Sequence, residues 1–405
     1  MARTWIYNGI IVQKDRVLEQ ASLLIDGNHI AEIREDNGGW DQDPFAEKID
    51  AQGAYVVPGF MDLHSDHIEK VAQPRPQSLI DFDIAIREQE KQLVCQGITS
   101  MYHSLTMNGG SKTSKDLKAL LRTPENYNKL VQLIRKHNNG DHIIRHRFHC
   151  RYDVTNTQGF EQLLEYIKNS DMQLLSFVDH TPGQGQYKDL EFFKNHVMGS
   201  DKTEEEKEKI LRKRMNTARI TAQQMEMAAN LADQLGIPIA SHDDDSLEKL
   251  DYVMKHLHIR ICEFPITMEV AKEAHHRGLK VVVGANNVLM GRSHSNNLSA
   301  LDAIREGCAD ILVSDYFPAS LLHAVFKIYD MGLTTLPDAI NMVTYNPACA
   351  VGVADHLGSL EVGKWADLLL IHRSQSMPVL GTAFVDGDKV MDIRYREKTG
   401  ERYAG

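Results

Sequence analysis

The stretch Val56-Val57-Pro58-Gly59-Phe60-Met61-Asp62-Leu63-His64-Ser65-Asp66-His67 decides how this chain is read. It begins as a short apolar run and ends in a crowd of metal-capable side chains. An apolar run bounded by turn residues predicts a buried strand. Side chains two apart in a strand share a face, so His64 and Asp66 project together from its carboxyl end. An imidazole beside a carboxylate begins a divalent-metal site. A core histidine beside a helix-capping aspartate explains the same residues equally well, and the other strands must decide. His67 is one position out of phase and points away, toward substrate or the next loop.

Outward from this stretch, short apolar runs alternate with amphipathic helical segments. Eight runs stand out, at 55–60, 98–102, 145–151, 174–178, 238–241, 260–264, 280–284 and 311–314. Alternating strands and helices imply a parallel sheet, and eight such units imply a (β/α)8 barrel. Residues 1 to about 55 are instead all strand and turn, with Asp26-Gly27-Asn28 as a hairpin signal. The chain after about 350 is again β-like, with a buried run at 366–371 and a hairpin around Asp386-Gly387. The expected architecture is a TIM-like barrel over 56–355. A small β-sandwich domain, from 1–55 plus 356–405, would be formed by both termini. The charged segment at 201–214 reads as a solvated helix inserted after strand four; a role as a lid has weaker support.

Composition narrows the partners. The 405 residues carry a formal net charge of -11, which argues against nucleic acid or an anionic membrane. No apolar run of about 18 residues predicts a membrane span. The N-terminus lacks a signal-peptide core, and five scattered cysteines read as buried thiols, so a cytoplasmic protein is expected. Self-association is compatible with all of this.

Catalytic groups of such barrels stand at the carboxyl ends of strands. Here those ends carry His64 and Asp66, then His103, then His146, His149 and Asp153, then Asp179 and His180. The later strands end in His242-Asp243-Asp244, Glu263, Asn286-Asn287 and Asp315. One such residue is unremarkable, and Asp244 reads as a helix cap. Eight together would concentrate charge at one mouth, which requires a cation or a dense hydrogen-bond network. His64, Asp66, His180 and His242 are the first expected ligands, with Asp179, Glu263 and Asp153 behind them. One or two divalent ions are expected, zinc first, with manganese or iron as alternatives. Such an ion would acidify a bound water, and Asp315 would orient that water and move its proton.

At this point the sequence resembles the amidohydrolase superfamily. The order of a strand-one histidine motif, a strand-five histidine and a strand-eight aspartate carries the likeness. Asn346-Pro347-Ala348 and the segment from Gly358 to Leu368 agree with it. The chain departs from the usual members. His64-Ser65-Asp66 replaces His-x-His, Asp179-His180 replaces the bridging lysine of strand four, and Glu263 replaces the strand-six histidine. Together PGFMDLHSDHIEK, VDHTPGQGQ, ASHDDDS, EFPIT, GRSHSNN and SDYFPASLL resemble one group, the diphosphohydrolases of the carbon–phosphorus lyase route of phosphonate breakdown. That resemblance implies a phosphorylated ribose substrate, α-D-ribose 1-methylphosphonate 5-triphosphate, cut to the 5-phosphate and diphosphate. Lys70, Arg75, Arg147, Arg151, Arg292, Ser293 and His294 are expected to meet the polyphosphate. The amides of Gly183 and Gly185 are expected to approach an anion. The alternatives are a hydrolase of cyclic amides or N-acyl groups, and a non-catalytic barrel scaffold in a phosphonate-pathway complex.

Overall fold

The computed structural model describes residues 3–108, 120–198, 202–291, 297–374 and 377–394. Two eight-stranded sheets organise them. The first joins both ends of the chain. Its path runs Asp388–Asp392, Met377–Val385, Leu368–Ser374, Tyr55–Pro58, Arg3–Val12, Val17–Asp26 and His29–Arg34, with Glu47–Asp50 beside Arg3–Val12. The expected sandwich is thus built from one continuous sheet. Ile6, Leu23, Ile25 and Ile30 from the N-terminal part meet Leu368, Leu370 and Phe384 from the C-terminal part in one core. Both Asx-Gly turns form as the sequence predicts, pairing Asp26 with His29 and Val385 with Asp388. At the second turn Asp386 and Gly387 both take positive φ, the geometry of a tight hairpin. A Cβ on Gly387 would lie 2.1 Å from the Gly27 carbonyl, so the two turns approach each other only through glycine.

The second sheet is parallel, with its strands neighbouring in chain order. They are Phe60–Ser65, Ile98–Met107, Arg145–Asp153, Leu174–Val178, Ile239–His242, Ile261–Glu263, Lys280–Gly284 and Ile311–Val313. The first differs from expectation. Tyr55–Pro58 pairs with Arg3–Val12 and Leu368–Ser374 in the terminal sheet, and the barrel strand begins after Gly59. A Cβ on Gly59 would lie 2.2 Å from Thr99 Oγ1, so the crossover between the sheets needs glycine. The barrel closes where Ser65 pairs with Asp315. There the Asp315 amide donates to the His64 carbonyl (2.9 Å) and the Asp66 amide to the Asp315 carbonyl (3.0 Å). Asp62 adds to the seam by accepting the Ser314 amide, and burial pushes its carboxyl up to about 7. Met61, Leu63, Tyr102, Leu174, Ala240, Ile261, Val282, Ile311 and Val313 fill one inner core.

Helix starts follow local chemistry. Thr203 and Thr221 form capping boxes, and Ser246, Thr267 and Thr335 accept the expected amides. Asp244 does not cap: Ser246 does, and Asp244 is buried against Ser241, Cys262 and Lys249. The charged helix is Glu204–Met215. It is not wholly solvated, since Leu211 packs with Phe193 and Met198 in a small separate core. Arg145 ties the two sheets together, bonded to Asp367 and Asp386 and lying 5.0 Å over the Trp365 ring. Among the described residues no helix is long and apolar enough to cross a membrane.

His103 and His146 are not at the barrel mouth. The second strand continues to Met107, and both imidazoles lie on the outer face beneath helices. His146 Nε2 lies 3.2 Å from Glu90 Oε2, and a carboxylate only accepts, so that nitrogen carries the proton. His103 Nε2 then donates to His146 Nδ1 (2.9 Å). Burial holds both imidazoles below the ordinary 6.5. The unfolded chain therefore binds more protons just below that value, so their contribution to stability is present above it and lost as pH falls. Thermal unfolding from pH 8 to pH 5 is expected to show a decline in Tm below about 6.5. A His103→Asn/His146→Gln variant should flatten that decline; an unchanged slope would contradict this account.

Candidate metal centre

Period-two alternation places the site. Ala240, Ile261 and Leu174 face the inner core, so His242, Glu263 and Ser176, two residues on, face the same interior one layer nearer the mouth. His64 joins them from strand one. His64, His242 and Glu263 each offer a ligand atom within 4.8 Å of the others. His64 Nδ1 lies 3.1 Å from Glu263 Oε1, so it donates there and leaves Nε2 with a free lone pair. Burial first, then Arg151 and His242, hold the His64 imidazole well below its usual range, and therefore neutral. Glu263 is fully buried and its Oε2 makes no hydrogen bond among the described residues; His149 Nε2 stands 3.9 Å away. His149 is itself occupied by the Leu63 carbonyl (3.0 Å) and the Ser176 hydroxyl (2.9 Å).

Asp66 stands at the start of the helix His67–Ala72 but makes no side-chain cap bond. Its Oδ1 is buried without a hydrogen bond among the described residues. Burial, reinforced by Glu69 and Asp315, raises its carboxyl to about 6. The capping explanation of Asp66 therefore fails. A neutral imidazole with a free lone pair and two buried carboxylate oxygens without donors suit a divalent cation.

Asp66, Arg151, His242, Asp243 and Asp315 line one cleft of about 280 Å³ with His64. Three of its residues, Asp243, Phe264 and Asp315, have φ between 53° and 58°, in the left-handed region that non-glycine residues avoid. Strain of this kind collects at functional sites. Arg151 Nη2 lies 3.3 Å from His242 Nε2, which must accept, while His242 Nδ1 faces Asp243 Oδ2 at 2.9 Å. Burial opposes the Asp243 charge, yet His242 and Lys249 hold its carboxyl below the usual range.

Other expected residues lie elsewhere. Asp179 accepts the Thr181 amide and pairs with Arg219 (3.4 Å). His180 pairs with Asp153 (3.3 Å), which also accepts twice from Thr155. Neither Asp179 nor His180 joins the His64 group, because strand four stops at Val178 and both lie on the loop after it. Lys70 sits at the rim, donating to the Tyr316 carbonyl (3.2 Å) and covering its ring. Arg75 is in a separate groove with Glu69, Gln73 and Leu121. Arg147 is held by Asn138 and the His146 carbonyl. The Gly183 amide is taken by the Tyr187 carbonyl and the Gly185 amide by Asp245, so neither awaits an anion. Arg292, Ser293 and His294 lie outside the described residues. Gln186, Asn297 and Tyr316 also line the cleft; none is singled out above as a site residue, though each falls in a stretch that carries the resemblance, VDHTPGQGQ, GRSHSNN and SDYFPASLL.

Comparison with known proteins bears on the family and the fold. The amidohydrolase family profile matches residues 199–390. In fold, an N-acetylglucosamine-6-phosphate deacetylase from Pasteurella multocida is similar at TM-score 0.62 and 13% identity, over 96% of this chain and 99% of that one. A Xaa-Pro dipeptidase is similar at TM-score 0.64 and 14% identity, over 96% and 99%. In its profile match and in its fold the chain is similar to the amidohydrolase family. It is 29% identical over 388 residues to the alpha-D-ribose 1-methylphosphonate 5-triphosphate diphosphatase of Escherichia coli (strain K12), covering 92% of this chain and 96% of the relative.

Metal content separates the expected ligands. Glu263→Gln and His242→Ala should each lower metal retained after dialysis by about tenfold or more, while Asp179→Asn should retain the wild-type amount. Elemental analysis showing the reverse order would move the site to strand four.

Proposed function

We propose that this protein is a metal-dependent diphosphatase acting on α-D-ribose 1-methylphosphonate 5-triphosphate, leaving the 5-phosphate and diphosphate, in phosphonate catabolism. The observation that carries the reading is Arg151. A guanidinium inside the cleft, whose side-chain partner among the described residues is the His242 imidazole and not a carboxylate, is suited to an anionic substrate. The likeness to the Escherichia coli relative supports the same substrate.

His64, His242 and Glu263 would hold a divalent ion, zinc first, with Asp66 beside them; His242 would give the ion the lone pair that Arg151 meets here, which frees the guanidinium for phosphate. An ion bound there supplies an acidified water and neutralises phosphate charge. The chain's own groups do the rest. Asp315, with its backbone pinned by strand one, accepts the proton of the attacking water. The water oxygen bonds to phosphorus as the bridging P–O bond breaks, and Asp315 returns the proton to the departing diphosphate. Arg151 stabilises the charge gathered on the phosphoryl oxygens, and Lys70 meets the distal phosphates at the rim.

Incubating the metal-loaded protein with the ribosyl triphosphate should release diphosphate stoichiometrically with 5-phosphate. Asp315→Asn should lower kcat by about 10²- to 10⁴-fold. Cleavage of a cyclic-amide or N-acyl panel without diphosphate release would overturn the substrate assignment. Wild-type activity in Asp315→Asn would overturn the role of the carboxylate. Arg151→Met should raise KM for the triphosphate by about tenfold or more and leave metal content unchanged; equal KM values would remove the argument from Arg151.

A further inference from the structure

Strand seven contributes to the cleft through a residue with no metal-binding chemistry. Asn286 is buried, and its Nδ2 lies 3.4 Å from Asp315 Oδ2. Its Oδ1 accepts the Asn287 amide at 2.8 Å. That second bond sets the amide's orientation, because a backbone N–H needs the oxygen and the NH2 is therefore the end that meets Asp315. Room for this rotamer comes from Gly284, where a Cβ would lie 2.5 Å from Asn286 Oδ1. The short helix carrying Asn286, Ala285–Met290, is strapped to the helix after strand eight. Lys327 donates to the carbonyls of Val288 (2.9 Å) and Leu289 (3.0 Å).

We infer that Asn286 is a positioning residue for Asp315. Strand one pins the Asp315 backbone through the His64 carbonyl and the Ser65 hydroxyl (2.8 Å). Strand seven then fixes the rotation of the carboxylate. The amide engages Oδ2 and leaves Oδ1 as the oxygen that takes the proton. Asn286 itself transfers nothing. The inference rests on the base role given to Asp315 above, but not on the identity of the substrate.

The informative variant is Asn286→Asp. It keeps the shape of the side chain and the acceptor for Asn287 but cannot donate as a carboxylate. A shape-filling role predicts no more than a shift of the pH–kcat profile to higher pH, the like-charge effect of a second carboxylate on Asp315, with the plateau kcat unchanged. A positioning role predicts kcat lowered by about tenfold or more with KM within about twofold, because displacement of a catalytic group acts on the chemical step. Asn286→Ala and Gly284→Ala should lower kcat in the same way, with circular dichroism and Tm recorded to establish folding. If either of these does not fold, Asn286→Asp decides. The variants are assayed on whichever member of the triphosphate and amide panels the wild type cleaves, so the diphosphatase assignment can fail while this inference stands. Wild-type plateau kcat in Asn286→Asp, or a change confined to KM, would overturn it.

Discussion

The contact on which the active end depends is the seam between Ser65 and Asp315. A parallel sheet of eight strands leaves two edges exposed unless the first meets the last. Here they meet at the two residues that flank the chemistry. The amide of Asp315 is used by the His64 carbonyl, and the carbonyl of Asp315 accepts from the amide of Asp66 and the hydroxyl of Ser65. Closure of the barrel and placement of the strand-eight carboxylate beside the strand-one imidazole are therefore one event. The left-handed φ of Asp315 is tolerated because both sides of its backbone are held.

The seam also explains the electrostatics. Closure buries Asp62, His64 and Glu263 and half-buries Asp66 close together in space, and burial raises the carboxyls of Asp62 and Asp66 while keeping His64 neutral. A hydrophobic layer of Leu63, Ala240, Ile261 and Val313 lies directly below. Water cannot reach in from that side to solvate the charges, so Glu263 retains an oxygen without a donor among the described residues. Such an arrangement is costly without a cation and favourable with one. Arg151 supplies fixed positive charge nearby, and a bound anion is a better partner for it than the His242 imidazole.

Much of this was legible in the sequence because it follows from local rules. The barrel strands were located by short apolar runs, the terminal hairpins by Asp-Gly turns, and the family resemblance by ordered motifs. The failures share a cause. Strand one was placed early because 55–60 contains two strands from different sheets, and only the close approach of Gly59 to Thr99 separates them. His103 and His146 were grouped with the mouth because a strand-end count does not say which face a side chain takes. Asp179 and His180 stood at a strand end yet turned to Arg219 and Asp153. Gly183 and Gly185 have the expected backbone freedom, but their amides already had partners.

The sequence by itself determined the repeating strand–helix order, the meeting of the two chain ends in one small β domain, and the set of residues from which a site could be built. Those are consequences of hydrophobic period and turn chemistry, which act over a few residues. The tertiary structure alone decided which of those residues meet. Glu263 reaches His64 across 199 positions of chain and Asp315 reaches Ser65 across 250. Such contacts depend on strand register and on the parity of each side chain at closure. A shift of one residue would turn any of these groups from the interior to the helices outside.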